Sequence, residues 1–174
     1  GSLVGGAVGD AFGYPVEFLS LDAIKQKYGP SGITKYELDK QTGTAVISDD
    51  TQMTLFTATG LLVGDTRLSM RGIAGEPSSY VFLSYLNWME TQGIKIDNPF
   101  RVSWLMDVKE LYVRRAPGNT CLSALEGRNH KSDYATTRKP INNSKGCGGV
   151  MRVAPVGLFY NLPDIERVNE IAAD

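Results

Sequence analysis

Gly5, Gly9 and Gly13 recur every four positions within the small, apolar stretch 3–12, and this spacing restricts the fold more than any other feature of the chain. On a helix the three glycines share one face and leave a groove that another backbone can approach closely. Each glycine costs about 1 kcal/mol of helix propensity relative to alanine, so packing has to hold the segment together. A buried first helix is the expectation. Asp10 sits inside it, where an unpaired charge is costly, which predicts that its carboxylate bonds to backbone or to a basic partner in a supporting role.

The rest of the chain also reads as helical. Tyr14-Pro15 ends the first helix, because a proline disfavours helical geometry in the residue before it. Residues 21–28 form a short amphipathic helix stopped by Gly29-Pro30, and 44–47 form an extended approach to the next helix. That helix runs over residues 49–62 on Met53, Leu55, Phe56, Leu61 and Leu62, with Ser48 capping its start. Pro77 opens an aromatic-rich core helix that reaches about Thr91 and ends before Gly93. A helix over 102–112, a turn at 116–119 and a short helix through Leu125 follow. Pro155 interrupts an apolar segment at 150–159, and Pro163 opens a last helix. No alternating pattern finds a partner, so the expected fold is all-α: one compact helical domain over 3–174, with Gly1-Ser2 read as a tag remnant.

Charge and cysteine content exclude several functions. The 18 basic and 19 acidic residues nearly cancel, which leaves no field to attract nucleic acid. No run approaches the roughly 20 apolar residues that cross a bilayer, so no membrane association and a cytoplasmic location are expected. Cys121, Cys147 and His130 are too few and too scattered for zinc, so any metal here must use oxygen ligands.

Oxygen ligands are concentrated at Ser48-Asp49-Asp50-Thr51. Two adjacent carboxylates repel unless something positive lies between them, and a hard cation such as magnesium suits that donor set. The same residues also serve as ordinary helix caps. Glu17, in the apolar Pro15-Val16-Glu17-Phe18, has the surroundings that raise a carboxyl pKa and suit general acid or base work; a turn glutamate is the plainer reading. The run 142–152 is polar and rich in glycine. Its amides, with Lys145 and Arg152, suit a diphosphate, although glycine turns before helices are common. Residues 116–120 form a second binding loop or a simple turn.

Taken in order, residues 6–18, Ser48-Asp49-Asp50-Thr51-Gln52-Met53, Ala116-Pro117-Gly118-Asn119-Thr120 and residues 146–155 resemble the ADP-ribosylglycohydrolase family, which includes the enzyme that reactivates dinitrogenase reductase. The resemblance implies a compact all-α fold with two magnesium or manganese ions in a cleft. It gives Ser48, Asp49 and Asp50 the role of metal ligands and Glu17 a role in catalysis or gating, and an acid such as Glu17 or Asp50 is expected to pass the proton. It brings Gly118, Asn119, Lys145, Gly146, Cys147, Gly148, Gly149, Met151 and Arg152 to ADP-ribose. The implied activity is glycosidase-type hydrolysis at ribose C1 of an ADP-ribosylated protein or small molecule, through an oxocarbenium-like transition state.

The family carries a second acidic motif, Asp-x-Asp followed by Thr or Ser, near its C-terminus, and this sequence contains none. The expectation is therefore the N-terminal portion of such a domain, truncated at the C-terminus, with impaired activity and with self-association or a complementing C-terminal half as partner. The alternative is a non-catalytic ADP-ribose- or nucleotide-binding homologue.

Overall fold

The computed structural model describes residues 1–97, 100–128, 136, 138–160 and 165–173. Seven α-helices make up these residues: α1 (Ser2–Gly13), α2 (Leu21–Tyr28), α3 (Asp49–Arg71), α4 (Pro77–Thr91), α5 (Asn119–Glu126), α6 (Ala154–Phe159) and α7 (Ile165–Ala173), with short 3-10 turns between them. Among the described residues the only β feature is an isolated bridge between Thr136 and Lys139, as the absence of alternation predicts.

An antiparallel hairpin of α3 and α4 is the scaffold. Its contacts pair Gly64 with Tyr80, Gly60 with Val81, Phe56 with Ser84 and Gln52 with Trp88, so the two sequences run in opposite directions. Gly60 permits the closest approach: a Cβ there would lie 2.6 Å from the Val81 Cα. Met53, Phe56, Tyr85, Trp88 and Met89 form the centre of the core, and Leu105, Leu111, Cys121 and Leu122 close over it. Most buried polar groups are paired, as burial demands, and Gln92 Oε1 is an exception. Gln52 accepts from the Trp88 indole at 3.1 Å and from Gln92 at 3.0 Å, and donates to the Val113 carbonyl at 3.1 Å. A smaller cluster of Leu61, Val156 and Ile171 joins α6 and α7 to α3.

Four expectations change. First, α1 is not buried. Only Ala11 is fully buried, Val4 is 69% exposed, and a Cβ on Gly5, Gly6, Gly9 or Gly13 would meet nothing within 4 Å. The glycine period identifies a face able to pack closely, and that ability is separate from being covered. Second, α3 runs well past residue 62, because Gly64 lies against the Tyr80 ring, and it stops only at Gly72, whose φ of 64° is left-handed. Third, 102–112 is two 3-10 turns, Trp104–Asp107 and Lys109–Leu111, separated by extended Val108. Asn87 draws the chain in here by accepting from the amides of Val102 and Ser103 at 2.9 and 3.0 Å. Fourth, Pro155 begins a helix rather than interrupting one, since the first turn of α6 needs no amide donor from it. The predicted helix start at Pro163 lies outside the described residues.

Candidate active-site cleft

The N-terminus of α3 is held from outside by α1. Asp10 Oδ2 accepts from the amides of Ser48 and Thr51 at 2.9 and 3.2 Å and from the Thr51 hydroxyl at 2.5 Å. Ser48, almost fully buried, caps the helix by accepting from the Asp50 amide at 3.2 Å. Asp10 and Ser48 together therefore satisfy amides that a helix start leaves without partners.

This anchoring presents Asp49 and Asp50 to a cavity of about 510 Å³ that Glu17 borders from the far end of α1. Asp49 is 5% exposed, and its Oδ2 accepts from the Gly118 amide at 3.2 Å. Burial raises its pKa from 3.8 to about 6, opposed by the Gly118 amide and reinforced by Asp50 and Glu17. Asp50 is shifted upward by burial and by Asp10. Glu17 is exposed as a residue, yet its carboxyl is pushed up first by partial loss of water, then by Asp50 and Asp10. Among the described residues, none of these three acids has a basic partner within ion-pair distance.

The turn that supplies the Gly118 amide is strained. Ala116 has φ 52°, the only positive φ outside glycine among the described residues, immediately before Pro117. A left-handed alanine is costly and persists only where its surroundings impose it. The Asp49 carboxylate and the Arg115 carbonyl, which accepts from the Asp49 amide at 3.1 Å, hold the turn from both sides.

The glycine run also lines the cavity. Cys147–Gly149 forms a single 3-10 turn, after which Met151 is tied to α3 because the Thr54 hydroxyl lies 3.0 Å from its carbonyl. Arg152 then extends over the Tyr85 ring, 4.9 Å from its centroid, with one guanidinium nitrogen 3.9 Å from the Met53 sulfur. No carboxylate among the described residues pairs with it. The cleft thus carries acids and a guanidinium that no ion pair among the described residues neutralises.

Of the residues singled out from the sequence, Glu17, Asp49, Asp50, Gly118, Gly146, Cys147, Gly148, Gly149, Met151 and Arg152 line this cavity together. Ser48, Asn119 and Lys145 do not: Ser48 is buried in its capping role, while Asn119 and Lys145 are exposed. Sequence reading missed Thr57, Phe82, Tyr85 and Arg128, which also face the cleft, with the Arg128 guanidinium 3.8 Å from the Phe82 centroid. The helical spacing of Thr57, Phe82 and Tyr85 is indistinguishable from that of core residues, and Arg128 falls just after α5. No signal separated them.

A family model for ADP-ribosylglycohydrolase matches residues 1–174. The chain belongs to the ADP-ribosylglycohydrolase family. No curated protein and no solved structure matches the chain. The family is one of glycohydrolases, and its all-α fold agrees with the helices described above.

The donor chemistry suits a hard cation in one respect. Glu17, Asp49 and Asp50 are oxygen donors whose charges repel one another without a counterion. In another respect it is sparse: among the described residues, no three Asp, Glu, His or Cys side chains converge closely enough to cage an ion. An ion here would have to complete its shell with water and substrate, as magnesium commonly does. No helix among the described residues is long and apolar enough to cross a membrane.

Proposed function

We propose that this chain removes ADP-ribose from an ADP-ribosylated substrate by hydrolysing the bond at ribose C1, with magnesium or manganese as cofactor. The observation that carries the reading is the mixed charge of the cleft, whose lining brings Glu17, Asp49 and Asp50 into one cavity with Arg152 and the glycine turn. A nucleotide sugar has the matching charges: an anionic diphosphate at one end and a cationic transition state at C1 at the other. Backbone amides of Gly148 and Gly149 and the Arg152 guanidinium would take the diphosphate, which brings C1 toward Glu17 and Asp50.

Glu17 fits the role of proton carrier. Partial burial, then Asp50 and Asp10, raise its pKa, the direction that favours a carboxyl able to carry a proton. Asp49 and Asp50, with the Ser48 hydroxyl behind them, would hold the cation, and Asp49 keeps its orientation through the Gly118 amide. When bound, such an ion supplies electrostatic grip on the ribose hydroxyls and a more acidic water.

The absence of a three-ligand cage among the described residues supports a second reading, an ADP-ribose-binding homologue without turnover. One experiment separates the two. ADP-ribosyl-arginine and an ADP-ribosyl-serine peptide are incubated with the chain and magnesium or manganese, and free ADP-ribose is measured by chromatography alongside calorimetric binding of ADP-ribose. Release that depends on the metal and is lost in an Asp49→Ala, Asp50→Ala double variant supports hydrolysis. Binding without release supports the second reading, and neither binding nor release overturns both.

A further inference from the structure

The cleft contains two thiols for which the proposed hydrolysis has no use. Cys121 lies in the first turn of α5 and is buried, while Cys147 begins the 3-10 turn of the glycine run and is exposed. The two elements pack on one another. The contact is close enough that a Cβ on Gly148 would meet the Cys121 sulfur at 2.6 Å, and a Cβ on Gly118 would meet it at 3.9 Å. The Cys121 sulfur therefore occupies the space between the strained turn and the glycine run, directly against the residue that follows Cys147. Consecutive Cα atoms are about 3.8 Å apart, so Cys147 is one residue step from a position already touching that sulfur. A disulfide needs its Cα atoms within about 7 Å, and the glycines on both sides of Cys147 give the turn the backbone freedom to adjust.

We propose that Cys121 and Cys147 form a reversible disulfide that fastens the glycine run to α5, a redox latch on the wall of the cleft. The oxidant is a low-molecular-weight disulfide such as oxidised glutathione. The exposed Cys147 reacts first: its thiolate attacks one glutathione sulfur, the glutathione S–S bond breaks, and one glutathione leaves as the thiol. Cys121 then attacks the Cys147 sulfur, the protein S–S bond forms, and the second glutathione leaves. Two electrons pass from the cysteine pair to glutathione disulfide, and the two cysteine protons end on the two released thiols. Burial holds the Cys121 thiol above its ordinary pKa, which keeps it unreactive until Cys147 presents a disulfide to it.

Fastening the run fixes the backbone amides that the proposed function assigns to the diphosphate, so the effect on ligand rests on that reading while the disulfide itself does not. The test exposes the reduced chain to oxidised glutathione and maps peptides under non-reducing conditions, with ADP-ribose binding followed by calorimetry. Expected are a monomeric product two hydrogens lighter with the Cys121 and Cys147 peptides joined, a changed ADP-ribose affinity, and reversal of both changes with dithiothreitol. Cys121→Ala should stop at a glutathione adduct on Cys147, and Cys147→Ser should remain unmodified. A wild-type chain that also stops at the adduct, or that links only between molecules, overturns the latch. If the internal disulfide forms and neither redox form binds ADP-ribose, the latch stands and the ligand assignment falls.

Discussion

Replacing Asp49 with asparagine should make the protein more stable at neutral pH and inactive. Asparagine has nearly the same shape and keeps an oxygen to accept from the Gly118 amide, so the substitution removes charge and little else. The folded state raises the Asp49 pKa from 3.8 to about 6, chiefly through burial. Between those values the folded chain holds a proton that the unfolded chain releases, so stability falls as pH climbs through the window and is fully present below it. At 1.36 kcal/mol per unit, the full shift is worth about 3 kcal/mol. The cavity admits water to this carboxyl, and that screening reduces the expected gain at pH 7 to about 1–2 kcal/mol. For a chain of this size the gain corresponds to a rise in Tm of about 2–8 °C. Thermal unfolding of both proteins with a chelator present, at pH 4 and pH 7, measures it: the variant should lead at pH 7 and tie at pH 4. Added magnesium should then raise the wild-type Tm and leave the variant unmoved. A variant less stable than wild type at pH 7 would refute the reasoning, because it would mean the carboxylate earns more from the Gly118 amide than it loses by burial.

Asp10→Ala should cost about 2–3 kcal/mol in urea unfolding, since three donors at the α3 start lose their acceptor at once. Gly60→Ala should cost about 1–3 kcal/mol by the same assay, because the new methyl meets backbone of α4 that has nowhere to move. Gly148→Ala should lower Tm by crowding the Cys121 sulfur, and Cys121→Ala in the same chain should restore it; absence of rescue would show that the close contact is not the cause. Arg152→Ala should weaken ADP-ribose binding by about 1.5–3 kcal/mol in calorimetry, the worth of a charge-assisted hydrogen bond to phosphate.

The parts of the fold legible in the sequence are those where local chemistry and packing agree. Ser48 caps α3 and Pro77 opens α4 as their residue types predict, and the ordered acidic and glycine motifs meet at one cleft. What stayed hidden depends on partners remote in sequence. Gly64 looks like a helix stop until the Tyr80 ring is seen against it. Asn87 looks like a surface polar residue on a core helix, yet it accepts the two amides that turn 102–112 away from a regular helix. Arg128 and Phe82 carry no local mark of their pairing, because one follows α5 and the other lies within α4. Conversely, α1 shows that a pattern fit for burial does not say what buries it.

The bonds of Asp10 also bear on the timing of synthesis. The residues it holds, Ser48 and Thr51, come 38 and 41 positions later, so α1 leaves the ribosome before anything exists to fix it. Arg152 follows only after a further hundred residues, on the order of ten seconds of translation. The acids therefore wait in an unassembled segment while the glycine run is still being made, and the cavity they line is completed only after translation has passed that run.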